Sequence, residues 1–256
     1  MEDVATPLAS ERRGNRLHLL DALRGFSIVS MIGFHFCYDL KFIFGMDLAW
    51  FAPPLQDIWR ASISWTFLAI AGCTCALSRN NLKRAGRYGL LALAIYVVTS
   101  LTSVDACISF GIIYCMAACT FVGWILERLN LSPKGPAAAA VLLACFLFLL
   151  PLSSGYIGIG PLHINLPNWL YSTEYLAWLG FPGPAFVSGD YYPLLPFVLM
   201  YLAGSAMGWW WKERGFPQAF SEYQCLPLEL IGLHPLVIYV AHQPILLLIG
   251  YLVSWR

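Results

Sequence analysis

The residues best suited to acid–base chemistry are His35 and Asp39, near the end of an apolar run that covers residues 25–36. Residues four apart lie on one face of an α-helix, so the carboxylate can orient the imidazole ring. A neutral histidine accepts a proton from a hydroxyl or an amine, and a neighbouring carboxylate fixes its tautomer. Ionisable groups at membrane depth usually face a bundle interior or a cavity. The pair is a candidate catalytic site; the structural alternative is a packing histidine beside an interfacial aspartate.

A second group of polar side chains lies in the last apolar stretch of the chain. Tyr239 is three residues before His242, on the same helix face, and Gln243 follows His242. Pro235 and Pro244 flank this group, and we expect each proline to interrupt the helix. Broken helices in membranes often lie beside a cavity. These side chains are therefore expected either to bind a substrate or to satisfy the backbone groups freed by the breaks.

The composition indicates a membrane protein. Of 256 residues, 59% are hydrophobic and 11% charged, whereas soluble domains are about a quarter charged. The net charge of +1 argues against a nucleic-acid partner, which requires a concentrated basic face. Because a membrane span needs about 20 mainly apolar residues, we predict an all-α, polytopic helical bundle. Its seven predicted transmembrane helices cover residues 20–43, 58–78, 87–104, 106–127, 136–153, 191–211 and 230–254.

The charged residues predict the orientation of this bundle. Basic residues concentrate in the N-terminal segment and in every second loop, among them the loop SRNNLKRAGR, which has no acid. The positive-inside rule therefore places the N-terminus in the cytoplasm. Residues 1–15 are expected to form a flexible cytoplasmic tail, and residues 16–256 a single transmembrane domain.

The longest loop, residues 154–190, is predicted to lie on the outer side. It is rich in Gly, Pro and aromatic residues, and loops of this length are commonly functional or disordered. We expect it to lie over the outer mouth of the bundle, with a short interfacial helix near residues 168–179, or to serve only as an aromatic anchor. Asp190, which ends it, is expected either to hold an acceptor hydroxyl, to pair with a cation or to cap the next helix.

The eight cysteines lie almost entirely in apolar stretches. No C-x-x-C pair with histidine partners occurs, so the sequence does not predict a metal site. Small packing residues are the expected role for most of these cysteines.

Four segments in order carry a family resemblance: LDALRGFSIVSMIGFHFCYDL, FGIIYCMA, DYYPLLPFVLMYLAGSAMG and GLHPLVIYVAHQPIL. Together they resemble the bacterial members of the heparan-alpha-glucosaminide N-acetyltransferase catalytic-domain family, over most of the chain from residue 16. The resemblance implies transfer of an acetyl group from cytoplasmic acetyl-CoA to an acceptor sugar across a membrane, here the bacterial inner membrane. The eukaryotic pattern has a catalytic histidine near the place of Met46, and the chain departs from it there. Either His35 has taken the base role, or the chemistry differs, or the activity is lost.

The resulting hypothesis is a membrane acetyltransferase without a metal. Arg24 is three residues after Asp21 and either pairs with it or meets a phosphate of acetyl-CoA. The basic loop either sets topology or contacts anionic lipid or the donor's phosphates. The expected partners are the bilayer and a saccharide acceptor, with a homo-oligomer left open. The rival hypotheses are a small transporter or flippase and a non-catalytic membrane subunit. The assigned roles are catalysis for His35 and Asp39, donor binding for Arg24, Arg84 and Arg87, and acceptor binding for Asp190, Tyr239, His242 and Gln243.

Overall fold

The computed structural model describes residues 16–102 and 105–254, so the predicted tail at residues 1–15 lies outside the described residues. The described chain is predominantly helical, as predicted, with one short hairpin. The helices are α1 His18–Tyr38, α2 Leu55–Cys75, α3 Asn81–Thr102, α4 Ile112–Arg128, α5 Pro136–Leu149, α6 Leu194–Arg214, α7 Ala219–Glu222, α8 Leu226–Leu233 and α9 Pro235–Ser254, and the strands are β1 Tyr156–Ile159 and β2 Leu162–Asn165.

Five helical segments in the described chain are long and apolar enough to cross a membrane. Each of the seven predicted spans overlaps a helix. One of these helices, α4, has 17 residues, fewer than the roughly 20 that a span needs. The protein is therefore an all-α membrane protein, whereas the count of seven spans and the cytoplasmic N-terminus stay predictions. The five segments are His18–Ile43, Asn81–Thr102, Pro136–Ser154, Leu194–Arg214 and Pro235–Val253.

The chain forms two compact units. One comprises the residues up to Phe67 together with those from Gly215, and the other runs from Leu68 to Arg214, so the boundary falls inside α2. In the first unit, α1 packs against α8 and α9. The α1–α8 contact is close because Gly25 faces the Leu228 carbonyl and Gly232 faces the Asp21 carbonyl. Small residues allow helix backbones in membranes to approach in this way.

The end of α1 is wound differently from the rest of the helix. It continues into a π-helical turn, Asp39–Ile43, whose first residue is fully buried. Such turns are rare, and they are frequent at functional sites. Lys41 in this turn donates hydrogen bonds to the carbonyls of Leu48 (3.2 Å) and Phe51 (2.6 Å), which fixes the segment that follows.

The last apolar stretch has one of the two predicted interruptions. Helix α8 ends at Leu233 and α9 begins at Pro235, because a proline disfavours helical geometry in the preceding residue and suits a first helical position. The predicted second break at Pro244 is wrong, since α9 runs through this proline to Ser254. Transmembrane helices tolerate such a proline where neighbouring groups satisfy the freed carbonyl.

In the second unit, α4 contacts both α3 and α6, and α6 also packs against α5. Glycines again mark the closest approaches, since Gly204 faces the Ala69 carbonyl and Gly208 faces the Cys73 carbonyl. The long loop belongs to this unit and contains the β1–β2 hairpin. The predicted interfacial helix at residues 168–179 is replaced by two short 3₁₀ segments, Asn168–Tyr171 and Glu174–Leu176.

Candidate active site

Four side chains that the sequence suggested as two separate groups lie together in the first unit. We call His35, Asp39, His242 and Gln243 the imidazole–carboxylate cluster. The His35 and His242 rings are 5.0 Å apart between centroids and tilted by 55°. Gln243 Nε2 lies 2.9 Å from Asp39 Oδ1 and 3.0 Å from Oδ2. Helix α1 with its π-turn supplies one half of the cluster and α9 supplies the other.

Asp39 has a relative exposure of 0%. The Gln243 group that faces the carboxyl is the NH₂, since Nε2 is within hydrogen-bond distance of both oxygens. This fixes the orientation of the amide and makes Gln243 Oε1 an acceptor. That oxygen is buried without a hydrogen-bond partner among the described residues.

His242, with 7% of its surface exposed, is held by the backbone of its own helix. Its Nδ1 lies 2.6 Å from the Tyr239 carbonyl oxygen. A carbonyl cannot donate, so Nδ1 must carry the proton and Nε2 must present its lone pair. Nε2 is also buried and lacks a partner within the described ranges. Tyr239 contributes through its carbonyl and through its ring, 5.4 Å from that of His242.

His35 lies between an aromatic ring of its own helix and the second imidazole. Its ring stands edge-on to Phe34, with centroids 5.8 Å apart, and faces His242 on the other helix. Gln243 donates to both carboxylate oxygens of Asp39. The cluster thus contains an imidazole able to take a proton, a second imidazole with a fixed tautomer and a buried carboxylate.

The predicted Asp21–Arg24 pair is present near the start of α1, with a separation of 2.7 Å. Arg24 also donates to the Gly232 carbonyl at 3.2 Å, and Arg16 pairs with Asp21 at 3.0 Å. Arg24 therefore links α1 to α8.

A buried hydrogen bond between two titratable side chains beside this group has no sequence signal. His18 Nδ1 lies 2.6 Å from Glu229 Oε2, and 211 positions separate the two residues. The hydrogen bond from His18, aided by one from the Cys225 N–H, holds the pKa of Glu229 below its usual value. The contact depends on the packing of α8 against α1, which spacing along the chain does not reveal.

The other predicted residues lie in the second unit. Arg84 donates to the Ala71 carbonyl, to Thr74 and to Tyr88 within its own unit, and Arg87 is exposed. Capping a helix was one of the expected roles of Asp190, and it does so, but the helix is α4 rather than α6. Its Oδ2 accepts from the N–H of Ile112 at 2.9 Å, where a negative charge also suits the helix dipole.

A cavity of about 630 Å³ opens beside the predicted cytoplasmic loops of the second unit. Three cations and two indole rings line it, together with a buried amide. Asn81 donates to the Cys75 carbonyl and to Glu127, which leaves its Oδ1 as a buried acceptor without a partner in the described chain. The sequence singled out the basic loop but did not show that it meets these tryptophans. The lining includes Arg79, Asn81, Trp124, Glu127, Arg128, Lys134 and Trp209.

Among residues 16–102 and 105–254, no group of three or more His, Cys, Asp or Glu side chains is arranged to hold a metal ion.

The comparisons with known proteins address the family. A family model described as heparan-alpha-glucosaminide N-acetyltransferase, catalytic, matches residues 16–244, which include all four members of the imidazole–carboxylate cluster. No curated protein and no solved structure matches the chain. Since the match covers nearly the whole chain, the protein belongs to the heparan-alpha-glucosaminide N-acetyltransferase catalytic family.

Proposed function

We propose that this membrane protein transfers an acetyl group from cytoplasmic acetyl-CoA to a hydroxyl or amine of a saccharide on the outer side. The observation that carries the proposal is the imidazole–carboxylate cluster, buried between α1 and α9 in a chain of this family. Imidazole is the side chain best suited to take a proton from such an acceptor near pH 7.

His35 is the proposed general base. Acetyl-CoA supplies the acetyl group as a thioester. As His35 removes the proton from the acceptor, the acceptor oxygen or nitrogen bonds to the carbonyl carbon. The carbon–sulfur bond breaks, and the proton on His35 passes to the departing thiolate. Direct transfer of this kind needs no covalent acyl-enzyme.

The rest of the cluster supports this proton transfer. A positive charge on His35 is unfavourable in an apolar setting unless a negative charge lies near. Asp39, one helical turn along and held in place by Gln243, supplies that charge. Gln243 Oε1 is an acceptor without a donor, and it suits a saccharide hydroxyl or amine.

The cavity of the second unit has side chains that suit a nucleotide, and we propose that it binds one. Guanidinium groups suit phosphates, and indole faces suit a purine ring. Arg79 and Arg128 line the cavity beside Trp124, whereas Arg24 and Arg84 have protein partners for their guanidinium groups. The proposal therefore assigns donor binding to Arg79 and Arg128 in preference to Arg24, Arg84 and Arg87.

The first experiment measures transfer of labelled acetyl groups from acetyl-CoA into envelope saccharides. Cells that produce the wild-type protein are compared with cells that produce equal amounts of folded His35→Ala. We expect incorporation with the wild type and a loss of about 100-fold or more in the variant. Equal incorporation in both would remove His35 from the mechanism. Incorporation no higher than in cells without the protein would instead favour transport.

The second experiment tests the donor cavity. Arg79→Ala and Arg128→Ala are expected to raise the KM for acetyl-CoA about tenfold each, because a charge-assisted contact to a phosphate is lost. Lys83→Ala is the matched control, since Lys83 is an exposed cation in the first turn of α3 that does not line the cavity. An equal change in all three variants would contradict the assignment and indicate a general effect of surface charge.

A further inference from the structure

We infer that His242 positions the catalytic base, by accepting a hydrogen bond from His35 at Nε2 once His35 carries the proton. This inference rests on the proposed function and gives the second imidazole a role in the same site. His242 does not take the proton itself, so it is a positioning residue that acts through His35.

The first step concerns the tautomer of His242. The Tyr239 carbonyl fixes the proton of His242 on Nδ1 at a distance of 2.6 Å. Rotation of the ring by 180° would break this bond, so the lone pair on Nε2 is a constant feature of the folded helix. An imidazole with Nδ1–H bonded to a backbone carbonyl is a well-defined acceptor at its other nitrogen.

The second step concerns what His242 lacks. Its Nε2 is buried and has no donor among the described residues, and a buried acceptor without a partner is unfavourable by about 1–3 kcal/mol. Such groups are uncommon in folded proteins and call for an explanation. A hydrogen-bond donor that appears only during the reaction would explain why Nε2 lacks a partner among the described residues of the resting protein.

The third step identifies that donor. Neutral His35 has one N–H, and His35 gains a second when it takes the proton from the acceptor. Its ring centroid is 5.0 Å from that of His242, with a tilt of 55°. At this separation, two ring nitrogens that point towards each other are within hydrogen-bond range. Asp39 already accepts from Gln243, whereas His242 Nε2 has no donor among the described residues.

The test compares two replacements of His242 in the purified full-length protein. His242→Leu removes the acceptor and keeps much of the volume, whereas His242→Gln keeps an acceptor oxygen near the position of Nε2. We expect kcat to fall about 100-fold in His242→Leu and to recover to within about tenfold of wild type in His242→Gln. The KM for both substrates is expected to stay within about threefold, because the bond forms only during the reaction.

His234→Leu is the matched control. His234 lies in the turn before the same helix and is exposed, and we expect wild-type kinetics from this variant. A wild-type kcat in folded His242→Leu would overturn the inference. Equal losses in the Leu and Gln variants would also overturn it, because the loss would then follow from packing rather than from the acceptor.

A second measurement does not depend on activity. Two-bond ¹H–¹⁵N correlation spectra of histidine-labelled protein distinguish the two neutral tautomers, and the signal of His242 is the one that His242→Gln lacks. We expect the Nδ1–H form, and an Nε2–H form would overturn the inference. If wild-type protein transfers no acetyl group, the proposed function fails, and this spectrum still decides whether His242 presents its lone pair.

Discussion

Two buried polar clusters, one in each unit, differ in how firmly the role of each polar atom is fixed. The first is the imidazole–carboxylate cluster. The second, which we call the hydroxyl–thiol cluster, consists of Cys75, Thr120 and Tyr201, all almost completely buried. Both clusters contain side-chain atoms without a hydrogen-bond partner in the described part of the chain.

In the hydroxyl–thiol cluster the atoms without a well-formed hydrogen bond are the hydroxyl oxygens of Thr120 and Tyr201, which lie close enough to each other to interact. A hydroxyl can donate or accept, and its hydrogen rotates to suit its surroundings. In the imidazole–carboxylate cluster the unpartnered atoms are His242 Nε2 and Gln243 Oε1, whose neighbours force them to be acceptors. A small movement can give a hydroxyl a hydrogen-bond partner, whereas an atom that is fixed as an acceptor needs a donor from outside its cluster.

The contrast shows that burial without a partner does not by itself indicate a binding or catalytic site. The stronger indication is an unpartnered atom whose donor or acceptor role is already decided by another contact. Variants of the two clusters should then have opposite signatures. Changes in the first should reduce catalysis, and changes in the second should alter stability alone.

Among the variants that contrast the two clusters here, Asp39→Leu is expected to have the largest effect. The variant removes the buried negative charge and leaves the Gln243 amide without its acceptor. We expect kcat for acetyl transfer to fall about 100-fold, equivalent to about 3 kcal/mol of transition-state stabilisation. In Asp39→Asn, which keeps an acceptor oxygen without the charge, kcat should fall less, by about tenfold.

Kinetics of purified folded protein provide the check. If both variants lose activity to the same extent, the charge on Asp39 accounts for the effect and the hydrogen bond to Gln243 does not. If neither variant loses activity, the two clusters do not differ in function, and the contrast between them is refuted.

The sequence predicts one half of the active site better than the other. The i, i+4 spacing predicts that His35 and Asp39 lie near each other, because helical periodicity fixes which residues share a face. It did not reveal that Gln243, 204 positions away, is the partner of Asp39, since that depends on how α9 packs against α1. The π-turn at Asp39 and the His18–Glu229 pair escaped prediction for the same reason. The break at Pro235 was predictable because proline acts on its immediate neighbours.

The second prediction uses the hydrogen-bonded pair His18–Glu229 of the first unit as an internal control. Glu229, bonded to His18 and to the Cys225 N–H, has a lowered pKa. Its contribution to stability is therefore fully present above the ordinary pKa of 4.5 and is lost as the pH falls through the lowered folded value. We expect Glu229→Gln to lower stability by about 2 kcal/mol at neutral pH and to flatten this acidic dependence.

Thermal unfolding in detergent between pH 3 and 7 measures this dependence, with kcat determined in parallel at neutral pH. Wild-type kcat is expected, because the pair connects α1 to α8 and lies outside the cluster. A loss of kcat as large as that of Asp39→Leu would show that any buried charge in this unit matters to catalysis.

The third prediction concerns Gly123, which lies against the hydroxyl–thiol cluster. A Cβ at this position would be 3.1 Å from Tyr201 Cε1 and 3.5 Å from Cys75 Sγ. Gly123→Ala should destabilise the protein by about 1 kcal/mol, because overpacking exceeds the gain in helix propensity. Activity per folded molecule should stay unchanged, and a selective loss of kcat would place the second cluster in the catalytic machinery.

The smallest effect is expected from Thr120→Val, which replaces a buried hydroxyl by a methyl group of similar size. If the hydroxyl is unbonded, its removal ends an unfavourable burial, and stability should rise by up to about 1 kcal/mol. If it rotates to form a weak bond with a neighbour, stability should change little. A loss above about 2 kcal/mol would mean that the Thr120 hydroxyl is firmly bonded. The hydroxyl–thiol cluster would then have fixed polar roles as well, and catalysis by the imidazole–carboxylate cluster would have to be argued from kinetics alone.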